Sequence, residues 1–547
     1  MKIKHWIFAA ILFLVGLYMF LPVINIHFKD LPILIIVIIL LIVVFQLRKN
    51  LPNSTGANII KIVLAKLKSI KILSILLFGT LGFMLVYQLF FTAKIFRAGS
   101  YRNLIGNVTS DNVFSKDIAP IAIDKIRVVD EELANLLGEK VIGQQASLGS
   151  KAHLGRFTIQ KVKSQLYWVA PLLHSGFFKW LNNLEGTDGY VMVSATNERD
   201  VQLVQQINKQ PLKIKYQPDS YFNFDLHRYL YTHGNFTKGL TDFSFEINDD
   251  GIPFWVVTTY TNTIGYSGAD ATGVIILNAQ DGVIENFTNE TTPAWVDRIQ
   301  PEAFVQTQVK DWGELVKGYW NFGNEDKLMP TENVSLVYGE DNNSYWYTGL
   351  TSVGADESTV GFMLINTRTK AAKWYKQSGA TEKAAQGSAM GKVQEKGYYA
   401  SDATPYNINN IPSYLMTLKD KSGLVKMYAM VAIEDFTVVG VGNNLNDCLM
   451  NYKNQYYQAS NKITPSSQSK IESLTSTIAR FQPDVKNGNT LYYFTLKGNK
   501  TIFVSSAQLS NSIPLTQIGD SVVVTYDKDS AAIMDVQTFN NLSLGQQ

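Results

Sequence analysis

The sequence predicts a membrane-anchored α+β protein. In this prediction, three N-terminal transmembrane helices precede repeated antiparallel β units with packed helices and a small C-terminal β-barrel. Three observations support it: residues 1–95 are overwhelmingly apolar, aromatic-rich strand patterns recur through the middle of the chain, and residues 489–543 hold short strands at close intervals. The 547 residues leave room for three or four domains of ~100–150 residues beside the anchor.

Three apolar runs carry the membrane prediction. They lead us to expect helices over residues 6–27, 31–47 and 72–93. A spanning helix needs ~20 apolar residues, so the first and third runs are long enough and the second is marginal. The first run follows Lys2 and Lys4, as a secretory signal would, but it has no clear small-x-small cleavage site. We therefore expect it to be retained as an anchor.

The distribution of basic residues predicts sidedness. Residues 48–71 hold six Lys and Arg residues, whereas the loop between the first two runs holds only Lys29. Lys and Arg favour the cytoplasmic side. This predicts a multi-pass protein of the inner (cytoplasmic) membrane with a cytoplasmic N-terminus and an extracytoplasmic body. Residues 59–71 fit either an amphipathic helix lying on anionic lipid or an extension of the third helix.

Cysteine content is informative about the compartment. Cys448 is the one cysteine of the chain, so no intramolecular disulfide can form. A secreted eukaryotic body of this size would usually hold several disulfides. A bacterial envelope protein is the better match.

Four stretches of the chain share one strand pattern. Each has an aromatic-rich strand, a gap and a second strand, which begins at a glycine in three of the four. The pairs are residues 167–172 with 189–193, 254–260 with 273–278, 345–348 with 361–366, and 414–418 with 426–431. Aromatic and β-branched residues favour strands, and Asp-Gly turns favour hairpins.

Helical stretches between these strands complete the predicted modules. Residues 131–140, 381–395 and 445–457 are candidates to cover one face of each sheet, which predicts α+β units. The expected domains are a transmembrane anchor (1–95), a first α+β module (96–215), a second (216–325), a third and fourth (326–485) and a small barrel (486–547).

Residues 242–287 resemble the PepSY family of small extracytoplasmic domains. The resemblance rests on residues 254–257, Phe-Trp-Val-Val, and 272–282, Thr-Gly-Val-Ile-Ile-Leu-Asn-Ala-Gln-Asp-Gly. It implies a binding or inhibitory module that acts beside a peptidase or a membrane assembly. The family contributes no catalytic residues, so none is carried over to this chain.

The C-terminal strands predict a small closed or nearly closed barrel. Residues 519–524, Gly-Asp-Ser-Val-Val-Val, resemble an OB-type or SH3-type barrel over residues 489–543. OB barrels often bind nucleic acid through basic and aromatic faces. These strands carry few Lys or Arg, and the net charge of the chain is +3. We therefore expect a protein-contact or packing module here and no nucleic-acid partner.

The sequence shows no pattern that predicts a catalytic, cofactor or metal site. His227 and His233 lie six residues apart, a poor spacing for two ligands on one helix face. Residues 265–269, Gly-Tyr-Ser-Gly-Ala, match a nucleophile elbow only in part and are interpreted as a turn. Cys448 is interpreted as a core residue. Three acidic stretches are interpreted as solvated turns: residues 249–250, 340–343 and 434–435.

These observations favour a non-enzymatic envelope protein. The leading hypothesis is a scaffold or assembly component that contacts membrane lipid and binds other proteins or further copies of itself. An alternative, from the PepSY resemblance, is a membrane-tethered regulator or inhibitor of a peptidase. A second alternative is a cell-wall or polysaccharide hydrolase whose two carboxylates converge from distant positions.

Overall fold

A computed structural model describes residues 2–48, 71–111, 121, 125–331, 334–339, 343–353, 358–408, 411–460, 471–486, 489–507, 509–527 and 533–544. The chain forms two compact units. Unit 1 comprises residues 1–110, 127–356 and 362–374, and unit 2 comprises residues 111–126, 357–361 and 375–547. The amphipathic pattern at residues 59–71 lies outside the described residues, apart from Lys71.

Helices and short strands alternate in the first part of the chain. The elements are α1 (Lys2–Phe20), α2 (Asp30–Arg48), α3 (Lys71–Tyr87), α4 (Lys94–Arg102), β1 (Val108–Asp111), α5 (Glu131–Gly143), α6 (Ala146–Gly149), β2 (Ala152–Leu154), β3 (Thr158–Val162), β4 (Gln165–His174), α7 (Phe177–Leu181), β5 (Tyr190–Ser194), β6 (Val201–Val204), β7 (Gln206–Ile207), β8 (Gln210–Pro211) and α8 (Leu226–Leu230). A π-helical turn, Gln88–Thr92, continues α3, and another, Tyr231–Asn235, continues α8.

The remainder of the chain is mostly strand. The elements are β9 (Gly239–Ile247), β10 (Pro253–Ile264), β11 (Ser267–Asn278), β12 (Ile284–Thr288), α9 (Glu302–Glu314), β13 (Leu328–Pro330), β14 (Ser335–Tyr338), β15 (Ser344–Ser352), β16 (Ser358–Thr359), β17 (Gly361–Asn366), β18 (Ala372–Tyr375), β19 (Gly379–Ala380), α10 (Glu382–Gly391), β20 (Tyr399–Ala400), β21 (Thr404–Ile408), β22 (Ile411–Lys419), β23 (Val425–Ala432), β24 (Val439–Gly442), α11 (Leu445–Ser460), β25 (Ile471–Lys486), β26 (Asn489–Leu496), β27 (Ile502–Ser506), β28 (Ser521–Asp527) and β29 (Ile533–Asn541).

The prediction of three N-terminal transmembrane helices is wrong. Within the described residues, one helix is long and apolar enough to cross a membrane: Lys71–Thr92, with 22 residues. The apolar helix at Asp30–Val43 is shorter than the ~20 residues that a span needs. The first run, expected to be helical over residues 6–27, ends as a helix at Phe20.

Tertiary contacts explain where that first helix ends. Leu21 has a φ of +46°, outside the helical region, and Pro22 follows it. The N–H of Ile24 donates to the carbonyl of Phe236, at 2.8 Å. A backbone amide bonded to a distant carbonyl is not available to a helix, so counting apolar residues overestimated the length of α1.

The four predicted strand pairs are neighbouring strands in four different sheets. They correspond to β4 with β5, β10 with β11, β15 with β17, and β22 with β23. The fold is mixed α+β and is dominated by sheets. Whether residues 242–287 share the PepSY fold stays a prediction.

The four-stranded antiparallel sheet of unit 1 has the order β12-β11-β10-β9. One face packs on α8, where Leu226 and Leu230 contact a core that includes Phe245 and Trp255. The other face, which includes Val274, is covered by residues 292–300. Both faces of this sheet are therefore buried.

Helices begin at polar caps, as the sequence favours. The Asp130 carboxylate accepts the N–H of Leu133 at the start of α5, and the Thr381 hydroxyl accepts the N–H of Ala384 at the start of α10. In unit 2, α11 packs directly on β24. A Cβ at Gly440 would lie 2.3 Å from the backbone N of Tyr452, so the strand needs glycine there.

Residues 471–541 of unit 2 form a closed barrel with the strand order β25-β26-β27-β29-β28. The strand β25 begins earlier than the boundary expected at residue 486, because it pairs with both β26 and β28. Neighbours β27 and β29 are parallel. Phe494, Phe503 and Phe539 are among the residues of its core. The OB-type or SH3-type resemblance stays a prediction.

Candidate functional site

The β10–β11 turn is bonded to the end of the candidate span Lys71–Thr92. The N–H of Tyr266 donates to the Thr92 hydroxyl at 3.0 Å, and the Tyr101 hydroxyl donates to the Thr92 carbonyl at 2.6 Å. The Tyr266 ring lies 4.6 Å from that of Tyr87. Gly265, at a φ of +61°, would place a Cβ 2.3 Å from the Thr92 hydroxyl oxygen.

This turn is the Gly-Tyr-Ser-Gly-Ala stretch. The structure places it between β10 and β11, with Ile264 paired to Ser267, rather than before a helix. Its glycines permit a close approach of two backbones. Nothing in the sequence indicated that this turn contacts the apolar helix, because the two partners are far apart along the chain.

Residues 22–28 form a second connection between the apolar helices and the sheet. The Tyr231 hydroxyl donates to the Pro22 carbonyl at 2.7 Å, and the Asn262 side-chain amide donates to the His27 carbonyl at 3.0 Å. The ring of Phe28 is 5% exposed and meets that of Tyr260 edge-on at 5.5 Å. We call residues 22–28, 91–101 and 264–267 together the collar.

An ion pair completes the collar. Lys94 pairs with Asp311 of α9, whose side chain is 2% exposed, and the Lys94 ammonium lies 5.5 Å from the centre of the Tyr101 ring. Tyr101 also packs with Ile264 and Leu315. The collar therefore joins the span, α4, α9 and the sheet through hydrogen bonds, an ion pair and a small apolar cluster.

The opposite end of the sheet carries an exposed aromatic surface. We define the distal patch as Phe177, Phe178, Leu181, Leu184 and Phe222, which are 37%, 75%, 48%, 45% and 59% exposed. Phe177 and Phe222 contact the buried ring of Trp180. The sequence signal was the apolar run Phe-Phe-Lys-Trp-Leu at residues 177–181, which falls in a connection rather than a strand.

Ring contacts place the distal patch near the start of β10. Trp180 lies 6.4 Å from Phe224, and Phe224 lies 5.8 Å from Tyr216. The Tyr216 carbonyl accepts the indole N–H of Trp255 at 2.8 Å. Trp255 is near the start of β10, whereas the collar holds its last residue, Ile264. Nine strand residues span about 30 Å.

A buried charge cluster lies between residues 244–246 and 297–298. The guanidinium of Arg298 is 3.8 Å from the Glu246 carboxylate and 3.2 Å from the Ser244 hydroxyl. Asp297 accepts the N–H of Lys161 at 2.7 Å and the Tyr338 hydroxyl at 3.3 Å. Burial raises the pKa of Glu246 to about 7, opposed by Arg298. Burial also raises the pKa of Asp297.

This cluster brings two carboxylates together, as a polysaccharide hydrolase would need. Glu246 and Asp297 are only 1% and 9% exposed, however, and the second oxygen of Glu246 has no hydrogen-bond partner. A buried charge that is paired with Arg298 suits packing between sheet and loop better than access to a large substrate.

The two histidines considered as a metal pair make separate local contacts. His227 packs on Phe243 at 4.2 Å between ring centres, and burial lowers its pKa. The Nδ1 atom of His233 lies 2.7 Å from the Tyr229 carbonyl oxygen. In the part of the chain that the structure describes, no group of three or more His, Cys, Asp or Glu residues is arranged to hold a metal ion.

The remaining candidates of the sequence lie in cores and turns. Cys448 is buried, its thiol donates to the Gly440 carbonyl at 3.3 Å, and burial raises its pKa. Asp249 accepts the N–H of Lys163, and Asp435 accepts the N–H of Thr437 within its own turn. The acidic stretch 340–343 lies outside the described residues, apart from Asn343.

Two comparisons with known proteins found no match. No protein-family model matches the chain, and no curated protein sequence is significantly similar to it. What the described residues offer is an apolar helix bonded to the β10–β11 turn and an exposed aromatic surface whose ring contacts lead to Trp255, near the start of β10.

Proposed function

We propose that this chain is a non-enzymatic, membrane-anchored scaffold that self-associates through the distal patch. One observation carries the proposal: the helix Lys71–Thr92 is apolar, is not buried by the protein, and is bonded to the body through Thr92. An exposed apolar helix of this length is stable in lipid and unfavourable in water. The collar then fixes the orientation of the β-rich unit 1 above the lipid.

Sidedness is part of the proposal. The ends of α2 and α3 at Asp30 and Tyr87 lie next to the collar, so their other ends, at Arg48 and Lys71, point away from the body. The basic segment 48–71 joins those ends, and basic segments favour the cytoplasm. We therefore propose that the β-rich body, from Lys94 onward, lies outside the cell membrane. Protease added to intact spheroplasts should digest the body; digestion only after lysis would reverse the assignment.

The distal patch supports protein contact rather than lipid contact. Its ring contacts lead to Trp255 near the start of β10, whereas the span is bonded to the turn at the other end of that strand. Exposed apolar patches on a soluble surface mark interaction sites, and aromatic residues dominate the energy of such sites.

A second copy of the chain is the proposed occupant of the patch. The exposed residues Lys179 and Glu185 flank its aromatic rings with opposite charges. In a two-fold interface the same surface meets itself, so Lys179 of each copy can approach Glu185 of the other. A surface of mixed charge around an apolar centre is self-complementary in this sense.

The experiment compares two Phe→Asp variants of equal exposure. Phe178 is 75% exposed in the distal patch, and Phe322 is 76% exposed in the loop after α9. Mass photometry of the detergent-solubilised full chain should give an oligomer of the 61.3 kDa protomer. We expect Phe178→Asp to weaken association at least ~10-fold, as for a central interface residue, and Phe322→Asp to leave it unchanged.

Two outcomes would overturn self-association. One is a wild-type particle of a single protomer plus micelle. The other is an oligomer that Phe178→Asp leaves intact, which would place the interface elsewhere. Neither outcome touches the membrane anchor, which the lipid experiment of the following subsection tests separately.

A further inference from the structure

The loop between α9 and β13 presents a row of exposed aromatic side chains. Tyr319, Trp320 and Phe322 are 43%, 61% and 76% exposed. Their rings meet edge to face, with centres 5.4 Å apart for Tyr319 and Trp320 and 5.6 Å apart for Trp320 and Phe322. We call residues 318–326 the aromatic loop. Three large rings that pack on one another yet remain exposed lack a partner within the described chain.

The direction of α9 places this loop at the collar. Along α9, the Gln308 amide donates to the Ala269 carbonyl, and Asp311 pairs with Lys94. One residue past the helix, Leu315 packs with Tyr101 and Ile264. Lys94, Tyr101 and Ile264 all belong to the collar. Lys94 is two residues beyond Thr92, so the aromatic loop begins at the level where the span leaves the lipid.

The two ends of the loop lie close together. The chain returns beside its starting point, since a Cβ at Gly313 would lie 2.2 Å from the Leu328 carbonyl oxygen. Lys317 pairs with Glu325 and Asp326 at 2.8 and 2.9 Å. The Asn321 side-chain amide donates to the Glu325 carbonyl at 2.8 Å. These bonds hold the rings at the tip of the loop.

The charges of residues 317–327 are balanced. Lys317 and Lys327 offset Glu325 and Asp326, so residues 317–327 have no net charge. An attraction to anionic headgroups therefore contributes little. What remains is the preference of Trp and Tyr rings for the boundary between headgroups and acyl chains, where an apolar ring and a polar edge are both accommodated.

We propose that Trp320 and Phe322 insert into the headgroup–acyl boundary of the membrane, forming a second lipid contact beside the span. This inference rests on the proposed membrane anchor. Two separated contacts, one through Lys71–Thr92 and one through the aromatic loop, fix both the height and the tilt of unit 1. A single helix fixes the height alone.

Site-directed fluorescence quenching tests the insertion. Cys448 is buried and is the one cysteine of the chain, so Cys448→Ala provides a background without thiols. In this background Trp320→Cys is labelled with an NBD fluorophore, and the full chain is reconstituted in phosphatidylcholine vesicles containing lipids with nitroxide-labelled acyl chains. We expect strong quenching at position 320, with a blue-shifted emission.

Two further labelled positions separate the possible failures. Phe83→Cys reports the span, and Phe178→Cys reports the distal patch; both side chains are more than half exposed, at 57% and 75%. We expect quenching at 83 and none at 178. Quenching at 83 without quenching at 320 would refute the inserted loop and leave the anchor intact. No quenching at 83 would refute the anchor itself, and the inference with it.

The lipid composition gives a second, independent readout. Because residues 317–327 carry no net charge, replacing a third of the phosphatidylcholine by phosphatidylglycerol should leave the quenching at position 320 unchanged. A several-fold increase with anionic lipid would show that electrostatic attraction, rather than ring insertion, brings the loop to the surface.

Discussion

The two ends of the sheet β9–β12 expose aromatic residues of the same kind in different settings. At the collar end, Trp320 and Phe322 project beside a helix that suits lipid. At the distal end, Phe178 and its neighbours project beside rings that contact Trp255, near the start of β10. Exposure alone does not distinguish the two surfaces, since Phe322 and Phe178 are 76% and 75% exposed. The two surfaces differ instead in which end of β10 they lie near.

The two ends also differ in how they are held. The collar joins the sheet to helices through backbone and side-chain hydrogen bonds at a glycine turn. Farther along β9, toward its distal end, Glu246 joins the sheet to residues 297–298 through a buried ionic cluster. The conformation of a glycine turn does not depend on pH, whereas the charge of a buried carboxyl group does. Substitutions at each end should therefore produce different signatures.

The largest expected effect is at Gly265. Gly265→Val places a β-branched side chain at a φ of +61° and against Thr92. Backbone strain and steric overlap each cost about 1–3 kcal/mol, so we expect a loss of ~4 kcal/mol in the free energy of unfolding of unit 1. Denaturant unfolding in detergent measures it.

Gly318→Val is the matched control for that substitution. Gly318 has a φ of +79°, but nothing lies within 4 Å of its added Cβ. We expect the strain alone, ~1–3 kcal/mol. Equal losses for the two variants would mean that contact with Thr92 contributes nothing to the collar.

The next effect is the pH dependence of Glu246. The pKa of this carboxyl is about 7 in the folded chain against an ordinary value of 4.5. A raised carboxyl pKa stabilises the fold fully below pH 4.5, and this contribution is lost as the pH rises through 7. The difference of about 2.5 pKa units corresponds to at most ~3 kcal/mol.

Glu246→Gln isolates this contribution because glutamine keeps the shape but does not ionise. Near pH 5 the variant and the wild type should have similar stability. Near pH 8 the variant should be the more stable, by up to ~3 kcal/mol. Comparing the two proteins at each pH cancels the titration of His174 and His227, whose pKa values burial lowers. A wild type that is more stable at pH 8 would contradict the assignment.

The smallest effect is at the ion pair of the collar. Asp311→Asn removes the charge that Lys94 faces. Because Asp311 is buried and Lys94 is 41% exposed, we expect a loss of ~1–2 kcal/mol in the free energy of unfolding. Glu314→Gln, on the same helix, breaks a pair with Lys310 whose side chains are 30% and 50% exposed. It should cost no more than ~0.5 kcal/mol. Similar losses would show that the Lys94–Asp311 pair contributes little to the stability of the collar.

Local patterns predicted several elements well. The aromatic-rich strand pairs are neighbours in the sheets, because alternation and turn residues act within a few positions of each other. The helices expected over residues 131–140 and 445–457 occur as Glu131–Gly143 and Leu445–Ser460. The third apolar run, expected over residues 72–93, occurs as Lys71–Thr92. In each case the residues within the segment itself determine its secondary structure.

Predictions that depended on distant residues were incomplete or wrong. The first apolar run ends its helix at Phe20 because Ile24 bonds to Phe236, which a hydropathy count does not register. The role of Glu246 was not foreseen, although its position between Phe245 and Ile247 in an apolar strand was a signal of burial. The sequence pattern at residues 319–322 did not indicate where these rings lie relative to the span.

The sequence by itself determined the apolar helix Lys71–Thr92, the mixed α+β character and the strand pairs, since hydrophobic pattern and turn chemistry act locally along the chain. The tertiary structure decided where α1 ends, which turn holds the span, and which aromatic rings lie near it or far from it. These depend on contacts between residues that are more than two hundred positions apart, such as Tyr231 with Pro22, and only folding brings such residues together.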